Sequence, residues 1–228
     1  MHAAAAGPEN APLVILLHGF PEFWYSWRRQ IGSLVDSGYR VIVPDQRGYN
    51  LTGKTPPYNL PVLVGDILNL IDACGREQVY LAGHDWGGIV AWVLAGLYPE
   101  RVRRLVILNA PHPDVMFRAL WGGSLRQFIR SWYIFLFQIP GLPEKLLGRG
   151  DHTAMVRMLQ RSSSPGTFKP EDVPFYRGAW SQPGALSAMI GWYRQIIRSA
   201  ARYSYRDFAF RLQMPTRILW GEQDSAMG

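Results

Sequence analysis

Cysteine is nearly absent from this sequence: Cys74 is the single one in 228 residues. One thiol cannot close an internal disulfide, which sets aside the disulfide-stapled secreted scaffolds and points to a reducing, cytoplasmic setting. Lysine is almost as scarce, occurring at 54, 145 and 169. Long apolar runs are missing too. The most apolar short stretch, 133–137, falls far below the ~20 residues of a membrane-spanning helix, so no membrane span is expected. The opening Met1-His2-Ala3-Ala4-Ala5-Ala6-Gly7-Pro8 has neither a basic region nor an apolar core, and does not read as a signal peptide. There is no internal repeat, and low complexity is confined to the alanines at 3–6. Charged residues are 18% and hydrophobic residues 48%, enough apolar material for a sizeable core and too much for disorder. The net charge of +7 comes from arginines spread along the chain rather than clustered. It reads as a solvated basic surface, with no nucleic-acid or membrane partner implied.

What is present is an alternation of strand and helix patterns. Nearly continuous apolar runs at 13–17, 39–43, 79–82, 104–108 and 216–220 suit strands buried on both faces of a parallel sheet. Helical patterns fill 24–35, 61–73 and 88–98. Each run ends in a turn that carries chemical side chains: His18-Gly19-Phe20-Pro21, Asp45-Gln46-Arg47-Gly48, Gly83-His84-Asp85-Trp86-Gly87 and Gly221-Glu222-Gln223-Asp224. In an open α/β sheet these carboxyl ends share one edge, where ligands bind. The alternation breaks between about 113 and 211, a segment rich in aromatics, arginine, proline and glycine. At this length it is too long and too aromatic for a plain loop. It reads as short helices and loops inserted over the carboxyl edge.

A glycine-framed residue between a strand and a helix is the nucleophile elbow, Gly-x-Ser-x-Gly in its usual form. Here aspartate holds the serine position, in Gly83-His84-Asp85-Trp86-Gly87-Gly88. The exchange carries chemical information. A serine that attacked an sp3 carbon would form an ether, which water cleaves poorly; a carboxylate forms an ester, which a positioned water can hydrolyse. Asp85 therefore points to an electrophilic alkyl carbon such as that of an epoxide or alkyl halide, attacked covalently. The bland alternative is an aspartate favoured by a helix N-terminus. The backbone N–H groups of Phe20 and Trp86 are the candidates for an oxyanion hole. Asp224 fits the acid of a triad ordered nucleophile, acid, histidine, with Glu222 as the alternative.

The runs His18-Gly19-Phe20-Pro21-Glu22-Phe23-Trp24, Pro44-Asp45-Gln46-Arg47-Gly48-Tyr49 and Gly83-His84-Asp85-Trp86-Gly87-Gly88 resemble the epoxide hydrolases of the α/β-hydrolase fold. The segments Trp132-Tyr133-Ile134-Phe135-Leu136-Phe137-Gln138 and Gly191-Trp192-Tyr193-Arg194 resemble the two lid segments that supply that family's ring-opening tyrosines. The resemblance runs over almost the whole chain; its core motifs are shared with haloalkane dehalogenases, and the paired lid motifs are the more specific part. It implies an α/β fold: a mostly parallel sheet with flanking helices and an inserted helical lid. Residues 1–113 would form the first part of the core, 114–211 the lid, and 212–228 the return of the core. Asp85 would be the nucleophile, Tyr133 and Tyr193 the donors to the epoxide oxygen, and Asp224 the charge-relay acid. His18, Pro21, Trp86 and Phe137 would line an apolar pocket. The implied partners are a small apolar epoxide and water, in a monomer or homodimer, with no metal and no cofactor. A haloalkane or haloacid dehalogenase is the alternative enzyme, and a non-catalytic small-ligand binder the alternative outside catalysis.

One element of that pattern is missing. The resemblance calls for a histidine after the acid, on a loop following one more strand, and the sequence stops at Gly228. The histidines are His2, His18, His84, His112 and His152. His18 and His84 belong to turn motifs and read as structural; His112 is the one candidate substitute. About ten residues precede Pro12, where the family begins with a strand meander. The expectation is a chain shortened at both ends, with an open sheet edge at 216–220, able to form the ester but without the residue expected to release it.

Overall fold

A computed structural model of the chain describes residues 1–121, 132–199, 210–222 and 224. Among these residues, six strands form one sheet in the order β1-β3-β2-β4-β5-β6. They are β1 (Ala3–Ala6), β2 (Leu13–Leu17), β3 (Arg40–Pro44), β4 (Val79–His84), β5 (Val102–Leu108) and β6 (Thr216–Leu219). All neighbours pair in parallel except β1, which runs antiparallel to β3 with Ala3 opposite Pro44 and Ala6 opposite Val41. The five apolar runs are thus the five parallel strands. The alanine run, which reads as low complexity in the sequence, is a sixth strand. Alanine has little intrinsic preference for strands, so β1 owes its conformation to pairing with the edge of β3.

Side chains along β2 alternate between the two faces. Leu13, Ile15 and Leu17 join the larger core, formed with α2 (Leu60–Ala73) and α3 (Trp86–Leu97). Val14 and Leu16 join the smaller one, formed with Ile31, Leu34 and Val35 of α1 (Arg28–Asp36). The pattern at 24–35 divides at Trp27. Trp24–Trp27 is a single 3-10 turn that precedes α1. The Trp24 amide is taken by the carboxylate of Asp45 at 3.0 Å, which ties this turn to the end of β3. Helix α2 begins at Leu60, one residue before the expected start, because Asn59 caps it by accepting from the Val62 amide at 3.1 Å.

Between β5 and β6 the described residues form helices α4 (Pro113–Trp121), α5 (Trp132–Leu136), α6 (Leu142–Ser162), α7 (Val173–Trp180) and α8 (Ala185–Ser199). This layer is fastened to the core at named points. Arg28 of α1 donates to buried Asp172 at 2.8 Å, and the Tyr25 hydroxyl donates to the same carboxylate at 3.2 Å. The Trp180 indole donates to the Pro21 carbonyl at 2.6 Å. Strand β6 lies at the sheet edge and is exposed on both faces, Ile218 and Leu219 included. No helix among the described residues is long and apolar enough to cross a membrane.

Candidate active site

Asp85 closes the turn from β4 into α3 with φ 50° and ψ −120°, a conformation that L residues adopt at a cost of about 1–3 kcal/mol. Hydrogen bonds on both sides hold it there. Its amide donates to the Leu108 carbonyl at 3.2 Å, and its carbonyl accepts from the Ile89 amide at 3.1 Å. The neighbouring loop must approach very closely. A β-carbon on Gly19 would stand 2.4 Å from the Asp85 β-carbon and 2.6 Å from Oδ1, so this position tolerates only hydrogen. That closeness lets the Phe20 amide donate to Asp85 Oδ1 at 2.8 Å. The Trp86 amide, the next along the chain, adds to the stabilisation of the charged carboxylate. Of the two N–H groups expected to pair, that of Phe20 is hydrogen-bonded to the Asp85 side chain.

Burial raises the pKa of Asp85 above the ordinary aspartate value, with Glu22 adding to the rise, while His84 and the two amides work against it. His84 is not the plain turn residue it appears in sequence. Its Nδ1 lies 3.0 Å from Glu22 Oε2. Burial opposes its charged form, but the charge and hydrogen bond of Glu22, with Asp85 and Asp224 beyond, push its pKa up to about 9. Burial opposes the charged form of Glu22 in turn, and the His84 cation holds its carboxyl below the usual range. Neutral pH therefore finds an ion pair beside Asp85. The sequence offered no signal for it, because the partners stand 62 positions apart.

Two phenols reach this site from separate helices. Tyr133 on α5 and Tyr193 on α8 have ring centroids 5.8 Å apart. Burial raises both pKa values well above 10, and the Asp85 charge raises each further. Both thus stay protonated donors at any physiological pH. Tyr193 is surrounded edge-on by Phe20 at 5.2 Å, Trp86 at 5.1 Å and Phe137 at 5.0 Å. Arg194 braces the two segments against each other, donating to the Phe137 carbonyl at 2.8 Å and to both oxygens of Glu144 at 2.6 and 3.1 Å.

The remaining expected residues fall as follows. His18 is wholly buried; Nε2 accepts from the Gln46 amide at 3.0 Å and Nδ1 faces the Gly19 carbonyl at 3.0 Å. With both nitrogens so engaged, it shapes the loop from behind and has no polar atom left for a ligand. Pro21 is buried beneath Trp180. Asp224, beyond β6, accepts from the Asn109 side-chain amide at the end of β5. His112 lies edge-to-face between Trp92 at 5.1 Å and Phe210 at 4.9 Å, and its Nδ1 accepts from the Asp114 amide. Burial lowers its pKa. No group of three or more potential metal ligands occurs among the described residues.

Sheet order, elbow and inserted helices define a class, and comparison with known proteins agrees. The profile of the α/β hydrolase fold matches residues 12–228, and the chain belongs to that family. Within it, the chain is 39% identical to Epoxide hydrolase 4 of Mus musculus over 99% of its own length and 63% of that protein. It is 45% identical to the AB hydrolase superfamily protein YfhM of Bacillus subtilis, over 98% of this chain and 78% of that protein. Among solved structures, an epoxide hydrolase of Bacillus megaterium in complex with an inhibitor superposes with a TM-score of 0.85 at 29% identity, covering 99% of this chain and 81% of that one. Epoxide Hydrolase A of Mycobacterium thermoresistibile superposes with a TM-score of 0.80 at 31% identity, covering 96% and 78%. The chain thus spans less than two thirds of the mouse relative.

Proposed function

We propose that this chain opens epoxides by covalent attack of Asp85, as its similarity to epoxide hydrolases suggests. The observation that carries this reading is the meeting of an elbow carboxylate with two phenols from separate helices, Tyr193 buried and Tyr133 half-buried. In the first half-reaction one Asp85 oxygen bonds an epoxide carbon and the C–O bond breaks. The electron pair left on the epoxide oxygen takes a proton from Tyr133 or Tyr193. Raised phenol pKa values do not prevent this, because an alkoxide is about as basic as hydroxide, whose parent water has a pKa of ~15.7. In the second half-reaction water adds to the ester carbonyl. The Phe20 amide, which holds the carboxylate at the start, and the Trp86 amide then hold the tetrahedral oxyanion. Collapse of that intermediate breaks the acyl C–O bond and regenerates the Asp85 carboxylate; one proton of the water goes to the departing diol oxygen and the other restores the phenol, so one epoxide and one water give one diol. Asp224, held by Asn109, would be the acid of a relay for this step; no histidine of this sequence follows it to complete that relay, so release of the ester is expected to be slow in the chain as it stands.

In this reading the described helices between 114 and 199 form a lid over the core, residues 122–131 and 200–209 of the expected 114–211 lid lying outside the described residues, and Phe20, Trp86 and Phe137 provide the apolar wall that excludes water from the phenols. A small apolar epoxide is the substrate, and a cytoplasmic location accords with the free thiol of Cys74. The test is incubation with an aryl-substituted epoxide, followed by intact mass measurement and peptide mapping. An ester on the peptide containing Asp85, or diol formation that Asp85→Asn abolishes, is expected. Persistence of the ester would mean that its formation outruns its release. Neither adduct nor diol from the wild-type chain would overturn the reading, and halide release from alkyl halides in place of diol would favour a dehalogenase.

A further inference from the structure

The loop after β3 carries the run Asp45-Gln46-Arg47-Gly48-Tyr49, which the proposed chemistry does not use. It is the seat of the helix that bears Tyr193. Trp192, the preceding residue on α8, is 1% exposed, and its indole Nε1 donates to the Arg47 carbonyl at 3.0 Å. Its ring meets the edge of Tyr49 at 5.5 Å and of Trp86 at 5.6 Å. Beside it α8 lies as near to the loop as its smallest residue allows. A β-carbon on Gly191 would stand 2.7 Å from the Tyr58 ring. The loop is itself rigidly held, since Arg47 donates through Nε and Nη2 to both oxygens of Asp66 on α2, at 2.6 and 2.5 Å. Tyr49 is buried edge-on against His18 at 4.7 Å.

Adjacent residues of a helix project about 100° apart, as its 3.6 residues per turn require. Trp192 can therefore point into the core loop while Tyr193 points toward Asp85. We propose that Trp192 is a positioning residue: its hydrogen bond to the Arg47 carbonyl fixes the register of α8 on the core and so places the Tyr193 phenol for proton donation to the opening epoxide. This rests on the epoxide-opening reading. A buried indole N–H usually takes an acceptor, so the hydrogen bond alone would indicate only packing. The choice of acceptor gives it meaning, because it joins the segment next to one reacting group to the loop packed behind the other. A displacement of about 1 Å at a reacting group can cost ~10²-fold in rate, and this contact is placed to prevent one.

Trp192→Phe deletes the donor and keeps an aromatic ring. Ester formation at Asp85 would be followed by mass spectrometry in single turnovers, with an aryl epoxide and with benzyl bromide. The bromide alkylates a carboxylate without a proton donor. The variant is expected to slow reaction with the epoxide by about 10-fold or more while changing the bromide rate less than about twofold. Trp192→Phe/Tyr193→Phe is expected to be no slower than Tyr193→Phe alone, since both changes remove the same placement. Trp192→His, which keeps a ring N–H, should recover part of the rate. Equal slowing with both reagents, multiplying effects in the double variant, or an unchanged epoxide rate would each overturn the proposal. If the wild-type chain reacts with bromide and not with epoxide, the epoxide reading fails; an epoxide-reactive wild type with an insensitive Trp192 defeats the positioning role alone.

Discussion

The Glu22–His84 pair should make stability depend on pH in a way that Glu22→Gln abolishes. The pKa of His84 rises from an ordinary 6.5 to about 9, and Glu22 is the main source of that rise against the opposing effect of burial. A raised folded-state pKa contributes stability that is fully present below 6.5 and is lost as the pH climbs through about 9. The depressed pKa of Glu22 sets the lower limit, since its contribution is lost as the pH falls below the ordinary value of 4.5. At ~1.4 kcal/mol per pH unit, the histidine shift could supply at most about 3 kcal/mol. The imidazole is 35% exposed, and solvent screening reduces this to about 1–2 kcal/mol. For a chain of this size that corresponds to a midpoint lowered by about 3–6 °C. The assay is thermal unfolding of wild type and Glu22→Gln at intervals from pH 5 to pH 10. The gap should be widest near pH 5–6.5 and should close toward pH 10. A gap of constant size across that range would refute the ion-pair assignment and leave only lost packing.

Two further perturbations probe the site and its roof. Gly19→Ala places a methyl group 2.4 Å from the Asp85 β-carbon, so the carboxylate must leave the Phe20 amide. Ester formation with an epoxide should fall by ~10²-fold or more while circular dichroism is unchanged, and a normal rate would show that the Phe20 contact is dispensable. Asp172→Ala strands the Arg28 guanidinium, which is 20% exposed, and removes the acceptor of Tyr25. Loss of one partner of such a pair should cost about 3 kcal/mol, read as a lower urea midpoint, and a shift under ~0.5 kcal/mol would mean that the α7 layer is held by its aromatic contacts instead.

The sequence by itself determined the features that depend on neighbours along the chain. Continuous apolar runs at 13–17 and 79–82 could serve only as strands covered on both faces. The glycine frame around Asp85 specified a strand, a sharp turn and a helix. The identity of that one residue specified an ester-forming nucleophile over an ether-forming one. Tertiary structure decided what requires partners distant in sequence. Four alanines have no strand preference, yet Ala3–Ala6 is a strand because β3 presents an open edge to it. The pattern at 24–35 divides at Trp27 because the Asp45 carboxylate captures the Trp24 amide, a contact that helical periodicity does not encode. His84 reads as a turn residue in sequence, and only the fold brings Glu22 to 3.0 Å from it and the Asn109 side chain to Asp224. Trp192 read only as part of the motif around Tyr193, and its acceptor lies 145 positions away at Arg47. Apolar periodicity and turn chemistry are local and legible in one dimension. Ion pairing, burial and hydrogen bonding between distant segments exist only once the sheet has brought those segments to the same edge.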